Sequence, residues 1–62
     1  MPVVQIDWFE GRNQEQKRKM VEVITAALVE IGGTRPENVE IIFRDIPESN
    51  WGSKGKLCSD SG

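Results

Sequence analysis

The sequence predicts an α+β fold, a single βαβ unit with parallel strands followed by a short C-terminal hairpin. Two apolar runs rich in β-branched residues flank one long stretch of helix formers, which is the order of a βαβ unit. About 30 residues separate the two strand midpoints, enough for a helical crossover between parallel neighbours. A chain of 62 residues is one domain that buries little surface by itself, so we also expect it to assemble into an oligomer.

The two long strands are predicted from their composition. Val3 to Phe9 reads VVQIDWF and carries large apolar side chains on both faces, which is typical of a strand that is covered on both sides. Val39 to Ile46 reads VEIIFRDI, with Val39, Ile41 and Phe43 on one face. Pro47 ends the second strand, Lys56 to Cys58 is predicted to form the hairpin arm, and residues 59–62 are predicted to be a frayed tail.

The helix is predicted from Gln14 to Ile31. Asn13 is a good N-cap residue, Gln16 follows three residues later as a capping box requires, and Gly32-Gly33 ends the helix. Apolar residues at helical spacing form the stripe expected to face the sheet: Met20, Val23, Ile24, Ala27, Leu28 and Ile31. Val21 and Val29 lie partly outside this stripe, which indicates contact with a neighbouring chain.

Charge and composition exclude several classes of protein. Eight basic and ten acidic residues give a net charge of −2 without a basic block, so nucleic acid is a poor candidate partner. No apolar run reaches the length of a membrane span and no signal peptide is evident, so we expect a soluble, cytoplasmic protein with no membrane partner. Cys58 is the only cysteine and histidine is absent, which excludes an intrachain disulfide and argues against a zinc site.

Pro2 is a candidate catalytic residue. Without histidine, general-base chemistry falls to a carboxylate, a lysine, the cysteine or the terminal amine. Methionine is usually removed before a small residue, and removal of Met1 would leave a secondary amine at the start of a strand. Nearby apolar side chains such as Trp51, or a guanidinium, would lower the pKa of that amine. The alternative is that Pro2 merely starts the strand, where its missing N–H costs nothing.

Two arginines are candidate binding residues. Arg12 stands in a glycine-flanked loop, where it could clamp a carboxylate or could be an ordinary solvated arginine. Arg44 lies on an otherwise apolar strand face, where Glu40 could be its ion-pair partner. Trp51, in a turn, is interpreted as an interface plug or a pocket wall.

Two stretches, EGRNQEQKRKMV at residues 10–21 and SNWG at residues 49–52, together with the initial Met-Pro, resemble the 4-oxalocrotonate tautomerase family of the tautomerase superfamily. The resemblance covers nearly the whole chain. It implies that six chains assemble as a trimer of dimers, and that the proline acts as general base and acid without a cofactor or metal.

The resemblance also assigns roles to individual residues. Pro2 matches the catalytic amine, and Arg12 matches an arginine that holds the far carboxylate of the substrate in an adjacent subunit's site. Trp51 and Phe9 match positions that line the pocket. One position departs from the family: Glu40 stands where the family has a second arginine, which engages the reacting end of the substrate. Arg44 is one candidate substitute, and Arg35 is another.

The resemblance thus implies an isomerase, a homohexameric tautomerase of aromatic degradation, that acts on a small unsaturated 2-oxo or 2-hydroxy carboxylate. Two alternatives stay open. The chain could be one subunit of a heterohexameric tautomerase or hydratase whose partner chain supplies the missing arginine. It could instead be a non-catalytic oligomeric binding module, in which case replacing Pro2 would change nothing measurable.

Overall fold

The computed structural model describes residues 2–60 as one α-helix, two small sheets and three short 3₁₀ helices. Strand β1 (Val3–Phe9), helix α1 (Gln14–Glu30) and strand β2 (Glu40–Ile46) form the βαβ unit. They are followed by β3 (Gly52–Ser53) and β4 (Lys56–Leu57). Strands β1 and β2 pair in parallel, whereas β3 and β4 pair antiparallel, which confirms the predicted α+β fold with its C-terminal hairpin.

The ends of the chain differ in part from the prediction. The hairpin arm begins at Lys56 as predicted but ends at Leu57, because residues 58–60 turn into a short 3₁₀ helix. Residues 59 and 60 of the predicted tail therefore belong to an element. Residues 61 and 62, and the predicted removal of Met1, lie outside the described residues.

Helix α1 begins with the predicted capping box. The Asn13 side chain accepts a hydrogen bond from the Gln16 backbone N–H at 2.8 Å, and the Gln16 side chain accepts one from the Asn13 N–H at 3.0 Å. At the other end, Gly33 adopts φ +70, a conformation that costs glycine nothing, and its N–H donates to the Val29 carbonyl at 3.2 Å. Local sequence signals thus agree with both ends of the helix, although it ends at Glu30, one residue before the predicted Ile31, which is the C-cap residue.

The apolar stripe predicted for α1 is only partly covered. Ile24 and Leu28 are half-buried as predicted, but Val23 is 60% exposed and Ile31 is 88% exposed. The reason is geometric, since a sheet of two long strands covers a narrower arc of the helix than the apolar residues occupy. Apolar helix surface is thus left open to solvent in the single chain.

The β1–β2 sheet has one covered and one open face. Half-buried residues alternate along both strands, with Ile6 and Trp8 on β1 and Ile41 and Phe43 on β2. The residues between them are exposed, and Val3, at 53%, is an apolar example. The helix therefore covers one face. Within residues 2–60 the opposite face, which carries apolar and charged side chains, is covered only at its C-terminal end, where Trp51 contacts Phe9.

The chain is extended rather than closed around a core. None of residues 2–60 is fully buried, and the radius of gyration is 14.9 Å, against about 11 Å for a compact chain of this length. The accessible surface is 4842 Å², against about 4,000 Å² for a compact monomer. No helix within residues 2–60 has the length and apolar character needed to cross a membrane.

Candidate active site

Pro2 lies half-buried at the N-terminal end of the β1–β2 sheet. Its carbonyl accepts a hydrogen bond from the Glu40 N–H at 3.0 Å, and the next residue, Val3, is the register partner of Glu40. Proline has no N–H to contribute to the ladder, and none is needed at this first position. The acidic residue that departs from the family pattern is therefore the neighbour of Pro2 within one chain.

Phe9 and Trp51 meet at the opposite end of the sheet. Their ring centroids are 4.7 Å apart and the rings are inclined by 56°, a geometry that aromatic pairs favour. The backbone of Trp51 is fixed on both sides: its N–H donates to the Glu48 carbonyl at 3.2 Å, and its carbonyl accepts from the Cys58 N–H at 2.8 Å. A short turn and the hairpin thus hold the indole against the end of β1.

An open cleft of about 410 Å³ adjoins this aromatic pair. Its lining residues are Asp7, Arg44, Ile46, Trp51 and Gly52. The cleft combines an indole and an aliphatic side chain with one guanidinium and one carboxylate, so a small anion with an apolar body would compete with Asp7 for the Arg44 guanidinium.

Arg44 is paired with Asp7 and not, as the sequence had suggested, with Glu40. The Arg44 Nε lies 2.9 Å from the Asp7 Oδ1, and the two residues are register partners in the parallel ladder. Glu40 shares the strand face with Arg44 but lies four residues earlier, about 13 Å along the strand. The partner across the strands is much nearer than the partner along the strand, so the predicted Arg44–Glu40 pair was wrong.

Arg12 is held by the end of β1, and no carboxylate of the described part of the chain forms an ion pair with it. Its Nη1 donates to the Phe9 carbonyl at 2.7 Å, and its Cζ lies over the Trp8 ring, 4.5 Å from the centroid. The other three arginines, Arg18, Arg35 and Arg44, each form an ion pair. Within residues 2–60, Arg12 is therefore the one arginine that has no carboxylate within ion-pair distance.

A network of contacts that no sequence motif indicated holds Trp8, the residue on which Arg12 lies. The Trp8 Nε1–H donates to the Asp45 Oδ1 at 2.6 Å, and the other oxygen of Asp45 forms an ion pair with Lys17. The Trp8 ring also stacks on Phe43, with 5.0 Å between centroids and 5° between planes. Apart from the bulk of Trp8, no local pattern indicates this network, because it depends on the register that sets Trp8 beside Asp45.

The same network changes the acidity of Asp45. The hydrogen bond from Lys17, and then the one from Trp8, lower the pKa of the Asp45 carboxyl, with smaller contributions from the charges of Lys17 and Arg12. Asp45 is therefore a carboxylate throughout the physiological range. No three His, Cys, Asp or Glu side chains within residues 2–60 are grouped to hold a metal ion.

The predicted site residues fall into two groups. The C-terminal end of the parallel sheet carries Phe9, Arg44 and Trp51. The Arg12 guanidinium lies at the same end, over Trp8 on the face that the helix covers. Pro2 lies at the N-terminal end, and the β1 strand between them spans about 20 Å. A single chain therefore does not bring the proline and Arg12 to one substrate.

These features define a small α+β chain whose candidate catalytic and binding groups stand at opposite ends of one parallel strand pair. The sequence matches the family described as Tautomerase enzyme over residues 2–61. It is 42% identical to the 2-hydroxymuconate tautomerase of Comamonas testosteroni, over all of this chain and 98% of the relative. The chain therefore belongs to the tautomerase family, and it is an isomerase of the tautomerase class.

Solved structures agree with this assignment. A structure of the 4-oxalocrotonate tautomerase isozymes from Methylibium petroleiphilum is similar with a TM-score of 0.86 and 41% identity, over 98% of each chain. A heterohexamer 4-oxalocrotonate tautomerase from Chloroflexus aurantiacus J-10-fl is similar with a TM-score of 0.85 and 25% identity, over 97% of each chain. The resemblance drawn from the sequence motifs is thus confirmed.

Proposed function

We propose that this chain is a tautomerase that converts a small unsaturated 2-hydroxy carboxylate into its 2-oxo form, with Pro2 as general base and acid. The observation that carries the proposal is Arg12, whose guanidinium is held in place and has no acidic partner within residues 2–60. The planar guanidinium has two parallel N–H groups that can donate hydrogen bonds to both oxygens of a carboxylate. A cytoplasmic setting and a role in aromatic degradation belong to the same proposal.

In the proposed reaction, the free amine of Pro2 takes the proton of the enol hydroxyl. The electron pair of the O–H bond forms the new C=O bond, and the double bonds shift along the chain. The far carbon then takes a proton from the prolinium, which restores the amine. One group thus serves as base and then as acid, and no oxidant or cofactor is needed.

The proposed site requires more than one chain. Because Pro2 and Arg12 lie about 20 Å apart along the strand pair, a substrate held by Arg12 of one chain reaches Pro2 of another. The open sheet face and the exposed apolar helix surface are available for that contact. We propose a hexamer built as a trimer of dimers, the assembly that the family resemblance implies.

Glu40 favours a second candidate, a heterohexamer in which a partner chain supplies the missing cation. Glu40 lies beside Pro2 in the ladder, where a carboxylate repels an anionic substrate. The Chloroflexus relative shows that a heterohexamer exists among similar chains. In the homohexamer, Arg44 is the better substitute, since it lines the cleft with Trp51 while Arg35 is exposed in a turn.

The test is the rate of ketonisation of 2-hydroxymuconate by the purified chain. Intact mass first establishes that Met1 is absent, and light scattering gives the number of chains. We expect Pro2→Ala to reduce kcat by 100-fold or more, since general acid–base groups contribute about 10²–10⁴. Lys19→Ala, on the exposed face of the helix, is the matched control and should retain full activity.

Each outcome assigns the chain to one class. Loss of activity in Pro2→Ala alone supports the proline mechanism. Activity that survives in Pro2→Ala contradicts it. Inactivity of the wild-type chain that co-expression with a second tautomerase-like chain repairs supports the heterohexamer. A wild-type chain that binds a carboxylate but never turns it over is the binding module.

A further inference from the structure

The indole of Trp8 is the surface on which the Arg12 guanidinium lies. The Arg12 Cζ is 4.5 Å from the ring centroid, within the range of a cation–π contact. Only one other contact fixes the guanidinium within residues 2–60, the hydrogen bond to the Phe9 carbonyl. The orientation of the Arg12 guanidinium therefore depends on the orientation of the Trp8 indole.

The indole is in turn fixed at three places. Phe43 stacks parallel to the ring, β1 holds the backbone, and the Asp45 carboxylate accepts the indole N–H at 2.6 Å. A tryptophan ring can rotate about two side-chain bonds, and this combination of stacking and hydrogen bonding selects one rotamer. A hydrogen bond to a carboxylate also makes the ring more electron-rich, which strengthens its attraction for a cation.

Lys17 completes the network from the first turns of the helix. Its ammonium group pairs with Asp45, and both side chains are only partly exposed, at 21% and 30%. This pairing links α1 to the end of β2, and through Asp45 it reaches Trp8 at the end of β1. A chain of contacts thus runs from the helix to the guanidinium.

We propose that Trp8, Asp45 and Lys17 are positioning residues that hold the Arg12 guanidinium ready for the substrate carboxylate. The carboxylate part rests on the proposed function, whereas the ordering of Arg12 does not. Trp8 is the element in direct contact with Arg12, and Asp45 and Lys17 act through it. Because the network already orders the Arg12 side chain, binding of a carboxylate does not have to supply the conformational entropy cost of ordering it.

The ordering of Arg12 can be measured directly by NMR of the arginine Nε–Hε groups in the ¹⁵N-labelled, assembled protein. Arg12→Lys assigns the Arg12 signal among the four arginines. We expect a wild-type order parameter near 0.85, about that of rigid backbone, and a value below about 0.6 in Trp8→Leu. Trp8→Phe and Asp45→Asn should give intermediate values, because each keeps part of the network.

The matched control is Glu15→Gln, which removes the acidic charge from the exposed ion pair with Arg18 on the same helix. It should change the Arg18 signal and leave the Arg12 signal as in the wild type. The proposal is overturned if the Arg12 order parameter is unchanged in Trp8→Leu, or if all arginines loosen together. Should Trp8→Leu fail to fold, Trp8→Phe and Asp45→Asn decide in the same way.

A binding measurement separates this proposal from the proposed function. Calorimetric titration with cis,cis-muconate, an unsaturated dicarboxylate, should show roughly tenfold weaker binding by Trp8→Leu, and turnover should show a higher KM with kcat within about twofold. Tight wild-type binding that survives in Trp8→Leu but not in Arg12→Ala would sink the positioning role and leave the proposed function intact. A wild type that neither binds muconate nor turns over 2-hydroxymuconate contradicts the proposed function, and the NMR result still decides whether Trp8 orders Arg12.

Discussion

Arg44 and Asp7 form an ion pair across the two parallel strands, with 2.9 Å between Nε and Oδ1. Their side chains are 58% and 47% exposed, so the pair contributes no more than about 1 kcal/mol to stability. An anion entering the adjoining cleft competes with Asp7 for Arg44, and the weakness of the pair allows this competition although the Asp7 carboxylate stays in the cleft. This makes Arg44 a usable cation even though it already has a partner.

We expect Arg44→Ala to lower kcat/KM about tenfold, the effect of losing one charge-assisted hydrogen bond. Arg35→Ala should change it less than about twofold, because Arg35 pairs loosely with Glu37 in an exposed turn. Steady-state kinetics of the two variants with 2-hydroxymuconate compare them directly. Equal effects, or a larger effect of Arg35→Ala, would identify Arg35 as the substitute.

Glu40→Arg should increase activity. A guanidinium beside Pro2 would replace a repulsive carboxylate with a donor for the developing enolate, and one such donor contributes about 10²–10³ in rate. We expect kcat/KM for a dicarboxylate to rise at least tenfold, while Glu40→Gln, which only removes the charge, gives a smaller gain. Lower activity in both variants would mean that the native substrate requires the carboxylate.

Asn13→Ala should destabilise the protein by about 1 kcal/mol, the usual cost of losing an N-cap side chain. Alanine loses the bond in which the Asn13 side chain accepts from the Gln16 N–H, whereas the backbone N–H of residue 13 can still donate to the Gln16 side chain. Urea unfolding at a fixed protein concentration measures the loss, and Asn13→Asp, which keeps an acceptor, should recover most of it. An unchanged midpoint in Asn13→Ala would show that packing between chains, and not the cap, sets the helix start.

Stability should fall in acid through Asp45. Its pKa is lower in the folded chain than in the unfolded one, so its contribution is complete above the unfolded value of about 3.9. That contribution is lost as the pH falls through the lower, folded value. The thermal midpoint of the wild type should therefore drop below about pH 4, and Asp45→Asn should show a shallower drop from a lower starting point. An acid limb identical in both proteins would refute this account.

Local sequence signals predicted most of the fold. Three signals act over only a few residues and need no knowledge of the tertiary structure. They are the capping box of Asn13 and Gln16, the glycine at position 33, and the β-branched and aromatic residues of both strands. Second-strand bounds differed by one residue, since Val39 donates its N–H to Pro36 in a 3₁₀ turn and the strand starts at Glu40. The fold could be predicted because its elements are local.

The candidate site could be predicted only in part. The contacts of Asp7 with Arg44, and of Trp8 with Asp45, follow from the register of two strands that are far apart in the sequence. A slip of two residues would keep the apolar faces aligned but break both contacts, so the hydrophobic pattern alone does not determine this register. The exposed stripe at Val23 and Ile31 has the same origin, because its cover must come from outside the single chain.

The length of β1 has a consequence for how inactivating mutations in different chains combine. If each site takes Pro2 from one chain and Arg12 from another, a Pro2→Ala chain and an Arg12→Ala chain are defective in different halves. Two inactive proteins, unfolded together and reassembled in equal amounts, would then regain roughly a quarter of their sites by chance pairing. Such complementation would make each catalytic centre the joint product of two chains, so that two separately inactive variants would regain activity when they are expressed in the same cell.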